Sequence, residues 1–131
     1  LVEDVLEEEL PHMAAALRGS GWAAGSLAAR WMWQCLLGVI DWPDVVAYMV
    51  LALLRGYDYQ VYFVVALLRA AQPRVVHAAS AGIDLSPLLL EGEALLDFHA
   101  ETSLAFMDDL EHRHRPRCLE ATRAFLARAD S

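Results

Sequence analysis

Apolar side chains recur at helical spacing along almost the whole chain, and short clusters of glycine, proline and acidic residues cut that pattern into segments. Val2 to Glu9 forms an acidic lead. Pro11 fits the first turn of a helix that runs to Arg18 and stops in Gly19-Ser20-Gly21. Between Trp22 and Val39 the positions Ala28, Trp31, Met32, Cys35, Leu36 and Val39 share one wide apolar face, which predicts a single helix over 22–39. Asp41-Trp42-Pro43 then turns the chain, with Asp41 as a candidate N-cap and Pro43 inside the first turn of a helix that ends at Gly56. A further helix is predicted over 57–71, closed by Gln72-Pro73.

The helices 43–55 and 57–71 are apolar nearly all round, which predicts that both lie in the centre of a helical bundle, touched on several sides. Val61 to Val65 are β-favouring types, but the run continues through Ala66-Leu67-Leu68-Arg69-Ala70-Ala71 without a break, which favours a helix. Val45–Leu54 and Val61–Leu68 are each far shorter than the roughly 20 residues needed to cross a bilayer. No membrane span is expected, and the apolar runs must face protein.

After a looser stretch holding Ala81-Gly82 and Ser86-Pro87 the character changes. From Ile83 to Glu111 the charged side chains are all acidic: Asp84, Glu91, Glu93, Asp97, Glu101, Asp108, Asp109 and Glu111. On a helix Asp97, Glu101, Asp108 and Glu111 fall on one side, and Leu95, Phe98, His99, Phe106 and Leu110 fall opposite. Pro116 is placed at the start of a last helix, with Cys118, Leu119, Thr122, Phe125 and Leu126 on one face and arginines spread from Arg113 to Arg128. The acidic helix and this basic one are expected to lie antiparallel and to pair in part, each exposed pair contributing on the order of 0–1 kcal/mol. The fold class is thus all-α: one helical domain over residues 1–131, divided into a part over 11–80 and the acidic-then-basic helices over 83–131.

Length and charge narrow the function. A chain of 131 residues is one unit or part of one. Its formal charge of −8 repels nucleic acid, and the basic stretch His112–Arg117 is too short to offset it. Cys35 and Cys118 stand far apart with no CxxC pair, so neither zinc nor a disulfide framework is indicated, and a reducing, cytoplasmic setting fits. An acidic helix already under way at Leu1 reads as a piece of a longer protein. The absence of asparagine excludes N-glycosylation.

No residue pattern gives catalysis a foothold. Of the five histidines only His112 and His114 are close, and an i, i+2 pair on a helix points in nearly opposite directions, so no metal site is expected. His99, on an apolar face, reads as a hydrogen-bonded core residue. Glu91 and Glu93 read as a solvated face rather than an acid–base pair, the serines lack a nucleophile-elbow context, and Gly19-Ser20-Gly21 precedes no phosphate-binding signature. No cofactor is implied. The connector Tyr57-Asp58-Tyr59-Gln60, with Tyr62, sits where the chain reverses between two buried helices. It reads as tyrosines capping the core with their hydroxyls in water, or as a recognition surface. Trp42 carries the same two readings.

The stretch "RWMWQCLLGVIDWPDVVAYMVLALLRGYDYQVYFVVALLRAAQPRVV" resembles the C-terminal lobe of a TBC domain, the helical module of Rab GTPase-activating proteins. In that lobe a tryptophan-led helix, a second helix, a glycine and an apolar helix ending in Ala-Leu-Leu follow one another. This likeness covers Pro11 to Ser80. Within the family, "DWPDV" and "DYQVY" resemble stretches of the Broad-minded branch, whose likeness extends over the whole chain. That branch implies a scaffold in ciliary and Hedgehog signalling, located in the cytoplasm at the cilium or its base. A cell cycle-related kinase or other ciliary proteins would be its partners, and a Rab-type GTPase is a further one.

Active TBC domains place an arginine and a glutamine finger in the nucleotide site from their other lobe, and neither motif occurs here. Tyr57-Asp58-Tyr59-Gln60 departs from the Tyr-x-Gln motif by one residue and lies elsewhere. The Trp-Asp pair of many active members aligns with Met49 and Val50, which keep the position packable without its polar function. The resemblance therefore implies a non-catalytic interaction domain with Trp42, Tyr57, Asp58, Tyr59, Arg113 and Arg115 as partner-binding residues. The rival expectation is the C-terminal lobe of an active Rab GTPase-activating protein whose fingers lie upstream. A plain structural support that binds nothing is the third.

Overall fold

The structure, a computed structural model, describes residues 1–129 apart from the side chain of Thr122. The described residues are all-α, with helices α1 (Val2–Glu9), α2 (Pro11–Gly19), α3 (Ala24–Trp33), α4 (Trp42–Arg55), α5 (Tyr59–Ser80), α6 (Ser86–Leu90) and α7 (Ala100–Ala129), and a 3₁₀ turn at Glu93–Leu95. No strand occurs among them, and none of their helices is long and apolar enough to cross a membrane.

Helix α5 is the axis of the fold. Every residue from Val61 to Leu68 is buried, and α1, α2, α4, α6, α7 and the 3₁₀ turn all rest on it. A strand buries alternate side chains on each face, whereas burial all round at every position is what a central helix needs. Phe63 joins two neighbours edge-on, Tyr48 at 5.1 Å and Phe98 at 5.5 Å between ring centres. Each such pair contributes about 0.5–1.5 kcal/mol beyond area burial. On the far side Trp31 is fully buried and its indole N–H donates to the Leu89 carbonyl at 3.0 Å, linking α3 to α6.

Several predicted boundaries move. Helix α3 stops at Trp33 rather than Val39, because Cys35 (φ 51°) and Leu36 (φ 62°) turn left-handed and the Leu36 N–H donates back to the Trp31 carbonyl at 2.9 Å. A left-handed non-glycine residue costs roughly 1–2 kcal/mol, and burying a leucine contributes about 1.5–3 kcal/mol. Leu36 has no exposed surface, and Val39 is also buried. Pro73 does not close α5. Ala71, Val75 and Ala78 continue the buried face beyond it, while Pro73 itself points to solvent. Asp41 holds the N-cap position of α4 without a side-chain cap bond.

The larger corrections concern α4 and the acidic segment. Only Asp44, Val45 and Tyr48 of α4 are buried, so this helix lies on the outside and not in the centre. Residues 83–99 form short pieces, and the acidic and basic segments are two halves of one helix, α7, with the exposed Pro116 inside it. They cannot lie antiparallel. The missing Pro116 N–H leaves the His112 carbonyl without its helical partner, on a side of the helix that meets water. His99 is exposed, its Nδ1 3.8 Å from the carboxylate of Asp44; the buried Asp44 instead accepts the Ala100 N–H at 2.9 Å at the start of α7. On the basic face Cys118 is buried, Phe125 and Leu126 are exposed, and the side chain of Thr122 lies outside the described residues.

Candidate interaction surface

The connector between α4 and α5 is a buried polar joint. Gly56 adopts φ 115° and ψ 161°, a conformation almost reserved for glycine. A Cβ there would lie 2.8 Å from Asp58 Oδ1 and 3.3 Å from Arg115 Nη2. The Asp58 side chain is 1% exposed; its Oδ2 accepts the Tyr62 hydroxyl at 2.7 Å and lies 3.6 Å from Arg115 Nε, while its Oδ1 has no hydrogen-bond partner. Arg115 also donates to the Arg55 carbonyl at 3.0 Å, satisfying the end of α4, and its Nη1 lies 3.4 Å from Glu111.

The neighbouring tyrosines are tied in too. Tyr59 donates to Asp108 at 2.7 Å, an oxygen that also takes Arg55 at 3.2 Å, and Tyr48 donates to Gln60 at 2.7 Å. Burial pushes the Tyr48 phenol up to about 12. Burial also raises Tyr59 and Tyr62, helped by the carboxylates of Asp108 and Asp58 that accept their hydroxyl hydrogen bonds. Burial likewise raises the thiol of Cys118 and keeps it in its unreactive form. These hydroxyls are structural links, not tips in water.

A second cluster fastens α1 to α7. Arg113 pairs with Glu9, through Glu9 Oε1 and, at 3.0 Å, Oε2, and with Asp109 at 2.7 Å. Arg117 donates to Glu8 at 2.8 Å and to His114 Nδ1 at 2.7 Å. A guanidinium can only donate, so Nδ1 accepts, and the Nε2–H of His114 donates a hydrogen bond to Glu9 Oε1 at 2.8 Å. The hydrogen bond from Arg113 holds the Glu9 carboxyl below the usual range, and that from Arg117 does the same for Glu8. Among the described residues no group of three or more histidine, cysteine, aspartate or glutamate side chains could hold a metal ion.

Two hollows accompany these clusters. One of about 450 Å³ lies among α1, α2 and the start of α3, with Trp22 and Glu7 in its wall, Glu7 already paired to Arg18 at 2.7 Å. The other, of about 300 Å³, lies between the end of α5 and α6 and is mainly apolar, with Ile83, Pro87 and Leu88. Neither brings together a nucleophile and a base.

Several of the exposed large apolar side chains gather on and beside α4. Trp42 (63% exposed), Val46, Val50, Leu53 (80%), Leu54 and, just past the helix, Tyr57 (77%) stand out from α4 at spacings of one to four residues, and Trp33 is 90% exposed in the preceding segment.

The family model of the "Broad-minded protein Rab TBC domain" matches residues 1–125 of the chain. The chain belongs to the Broad-minded family. Protein broad-minded of Danio rerio is 32% identical over 128 residues, covering 98% of this chain and 10% of the relative; that of Mus musculus is 31% identical over 123 residues, covering 94% and 9%. The chain thus spans about a tenth of the length of the Broad-minded relatives it matches. No solved structure gives a significant match.

In this Broad-minded chain the six residues singled out from sequence fall into two sets. Trp42 and Tyr57 are exposed at either end of the α4 stripe, while Asp58 and Tyr59 are buried and bonded within the fold. Arg113 and Arg115 are partly exposed but committed to Glu9, Asp109, Asp58 and Glu111. Met49 is half-buried and Val50 is 43% exposed, so only the first of the two positions aligned with the Trp-Asp pair is packed. Sequence reasoning missed Val46, Leu53 and Leu54, whose apolar character read as core.

Proposed function

We propose that this chain acts by protein contact, as a non-catalytic interaction domain of a Broad-minded-type TBC protein. The observation that carries this reading is the disposition of its polar groups. In the connector and in the α1–α7 cluster, acids, tyrosines and arginines are bonded to one another, whereas the prominent unpaired surface is the apolar stripe on α4. Trp42 and Tyr57 are the members of the candidate set best placed to touch a partner. Arg113 and Arg115 contribute through the exposed part of their guanidinium groups.

The family resemblance extends the proposal to a scaffold in ciliary and Hedgehog signalling, in the cytoplasm at the cilium or its base. Its partners there would be a cell cycle-related kinase or other ciliary proteins. A second reading is supported by the family description, which names a Rab TBC domain, and by the tenth of the relatives that the chain spans. Under it the chain is the C-terminal lobe of an active Rab GTPase-activating protein with fingers elsewhere in the polypeptide.

Single-turnover GTP hydrolysis by a panel of Rab proteins tests both. With this chain and with the full-length protein, the non-catalytic reading expects the intrinsic rate. An arginine finger accelerates hydrolysis by about 10³–10⁵. Stimulation of that order by the full-length protein alone establishes the second reading, and stimulation by this chain overturns the first.

A further inference from the structure

Between Asp44 and Arg55 helix α4 has no charged residue. Asp44 accepts the Ala100 N–H at 2.9 Å and Arg55 meets Asp108 at 3.2 Å, both on the side that faces α7 and away from the exposed stripe. A charged group pressed onto that stripe would lose water and find no mate, so its complement is itself apolar and uncharged. The molecule presents one such surface in the stripe itself. Its residues are symmetric about the midpoint between Met49 and Val50: Val46 and Leu53 stand equally far to either side, and beyond them stand Trp42 and Tyr57. Aliphatic positions thus answer aliphatic ones, and the aromatic residue at one end answers that at the other. Trp42, Leu53 and Tyr57 are the most exposed of these side chains, and Met49 is half-buried.

Resting on the interaction reading above, we propose that the partner met by this face is a second copy of the chain, the two α4 helices packing antiparallel across a two-fold axis. A two-fold contact joins the same patch to itself, which the symmetric stripe allows. Val46 of each copy then meets Leu53 of the other, Met49 and Val50 meet at the axis, and Trp42 reaches Tyr57. The antiparallel arrangement also sets the two helix dipoles against each other favourably. The exposed side chains offer on the order of 700 Å² on each copy, about 1,400 Å² for the pair, above the roughly 1,000 Å² that a specific interface needs. Each copy has a formal charge of −8, carried off the stripe. Like charges more than about 8 Å apart are largely screened at physiological salt, so the pairing strengthens as salt rises.

Sedimentation of the full chain between about 1 and about 100 µM tests the pairing, and a dimer that tightens between about 50 and about 300 mM salt is expected. Leu53→Glu and Val46→Lys, each with unchanged circular dichroism, are expected to weaken it at least about tenfold. Combined in one chain, the two changes set a lysine against a glutamate of the other copy on both sides of the axis, and most of the loss is expected to be recovered. Two differently tagged full-length copies are expected to co-purify, with recovery reduced at least about fivefold by Leu53→Glu in both. A chain that stays monomeric throughout the range, a dimer indifferent to Leu53→Glu, or a double variant no better than the single ones overturns the proposal. So does a full-length protein whose copies do not co-purify or whose recovery Leu53→Glu leaves unchanged, since another part of the polypeptide then covers this face. These failures concern the pairing alone, because the interaction reading itself is judged by the Rab hydrolysis rates.

Discussion

Replacing Gly56 with alanine should be among the most damaging single-methyl changes the chain can suffer. At φ 115° and ψ 161° an L-residue is strained wherever it has room, and here it has none. The new Cβ would lie 2.8 Å from Asp58 Oδ1. That oxygen belongs to a short side chain, 1% exposed and held by Tyr62, so it cannot swing aside. Arg115 Nη2, at 3.3 Å, is itself fixed on the Arg55 carbonyl. The backbone strain costs about 1–3 kcal/mol and the displacement of a packed, bonded side chain about 1–3 kcal/mol more, against a total stability of roughly 5–15 kcal/mol. A loss of about 3 kcal/mol in a chain of this size lowers the melting temperature by roughly 10 °C. Gly82→Ala is the control: φ is 70° but nothing lies within 4 Å of the added methyl, so only the conformational cost of about 1–2 kcal/mol applies. Urea and thermal unfolding of the two variants beside the parent chain measure the difference. Equal losses for Gly56→Ala and Gly82→Ala would show that the Asp58–Arg115 joint does not confine position 56, and would refute the argument.

Three further outcomes follow from the same contacts. Tyr62→Phe strips Asp58 of its hydroxyl donor in a buried site and should cost about 1–3 kcal/mol in urea unfolding, more than Tyr48→Phe, which loses a neutral partly buried bond worth about 0.5–1.5 kcal/mol. The folded-state pKa of Glu9 lies below its unfolded value of 4.5, so the unfolded chain binds its proton first as pH falls. The stability Glu9 contributes is therefore complete above that value and lost as pH drops through the folded one, and Glu9→Gln should flatten the fall in urea midpoint between about pH 5 and about pH 3. Pro116→Ala restores a helical N–H in mid-α7 and should stabilise the chain by about 1–3 kcal/mol, whereas a proline starting a separate helix would give almost no gain in the same measurement.

The helical fold and its axis were legible because α5 has no polar side: Val61 to Leu68 can be satisfied only by neighbours all round. The same logic failed for α4. A stripe such as Val46, Val50 and Leu53 looks alike in sequence whether it meets core or solvent, and only the placement of α5 and α7 shows which side is covered. Periodicity also ran past Trp33, since Leu36 and Val39 reach the core by a left-handed turn that preserves the apolar pattern while breaking the helix. At Pro73 and Pro116 the proline signal lost to packing that continues on the buried face. Opposite charge was read correctly as a reason for pairing, and Arg113 and Arg115 do meet Asp109 and Glu111 of the acidic segment, but within one helix rather than across two, and part of the basic segment has mates that the reading did not name. The arginines near the end of the chain meet Glu8 and Glu9 of α1, a long-range match that residue spacing cannot encode. The tyrosine connector was singled out for its polar tips, yet two of its hydroxyls serve carboxylates, Asp58 just ahead of α5 and Asp108 on α7.

Glu8 and Glu9 are joined to Arg113, His114 and Arg117 across 104 to 109 positions of sequence. During synthesis those glutamates emerge at least 104 residues ahead of their mates, so the pairs cannot form until the intervening stretch has been made. The apolar side of α1 can settle earlier on α2 and α3, so the electrostatic latch is left to fasten last. The joining of α1 to α7 is therefore timed by translation of the segment between them.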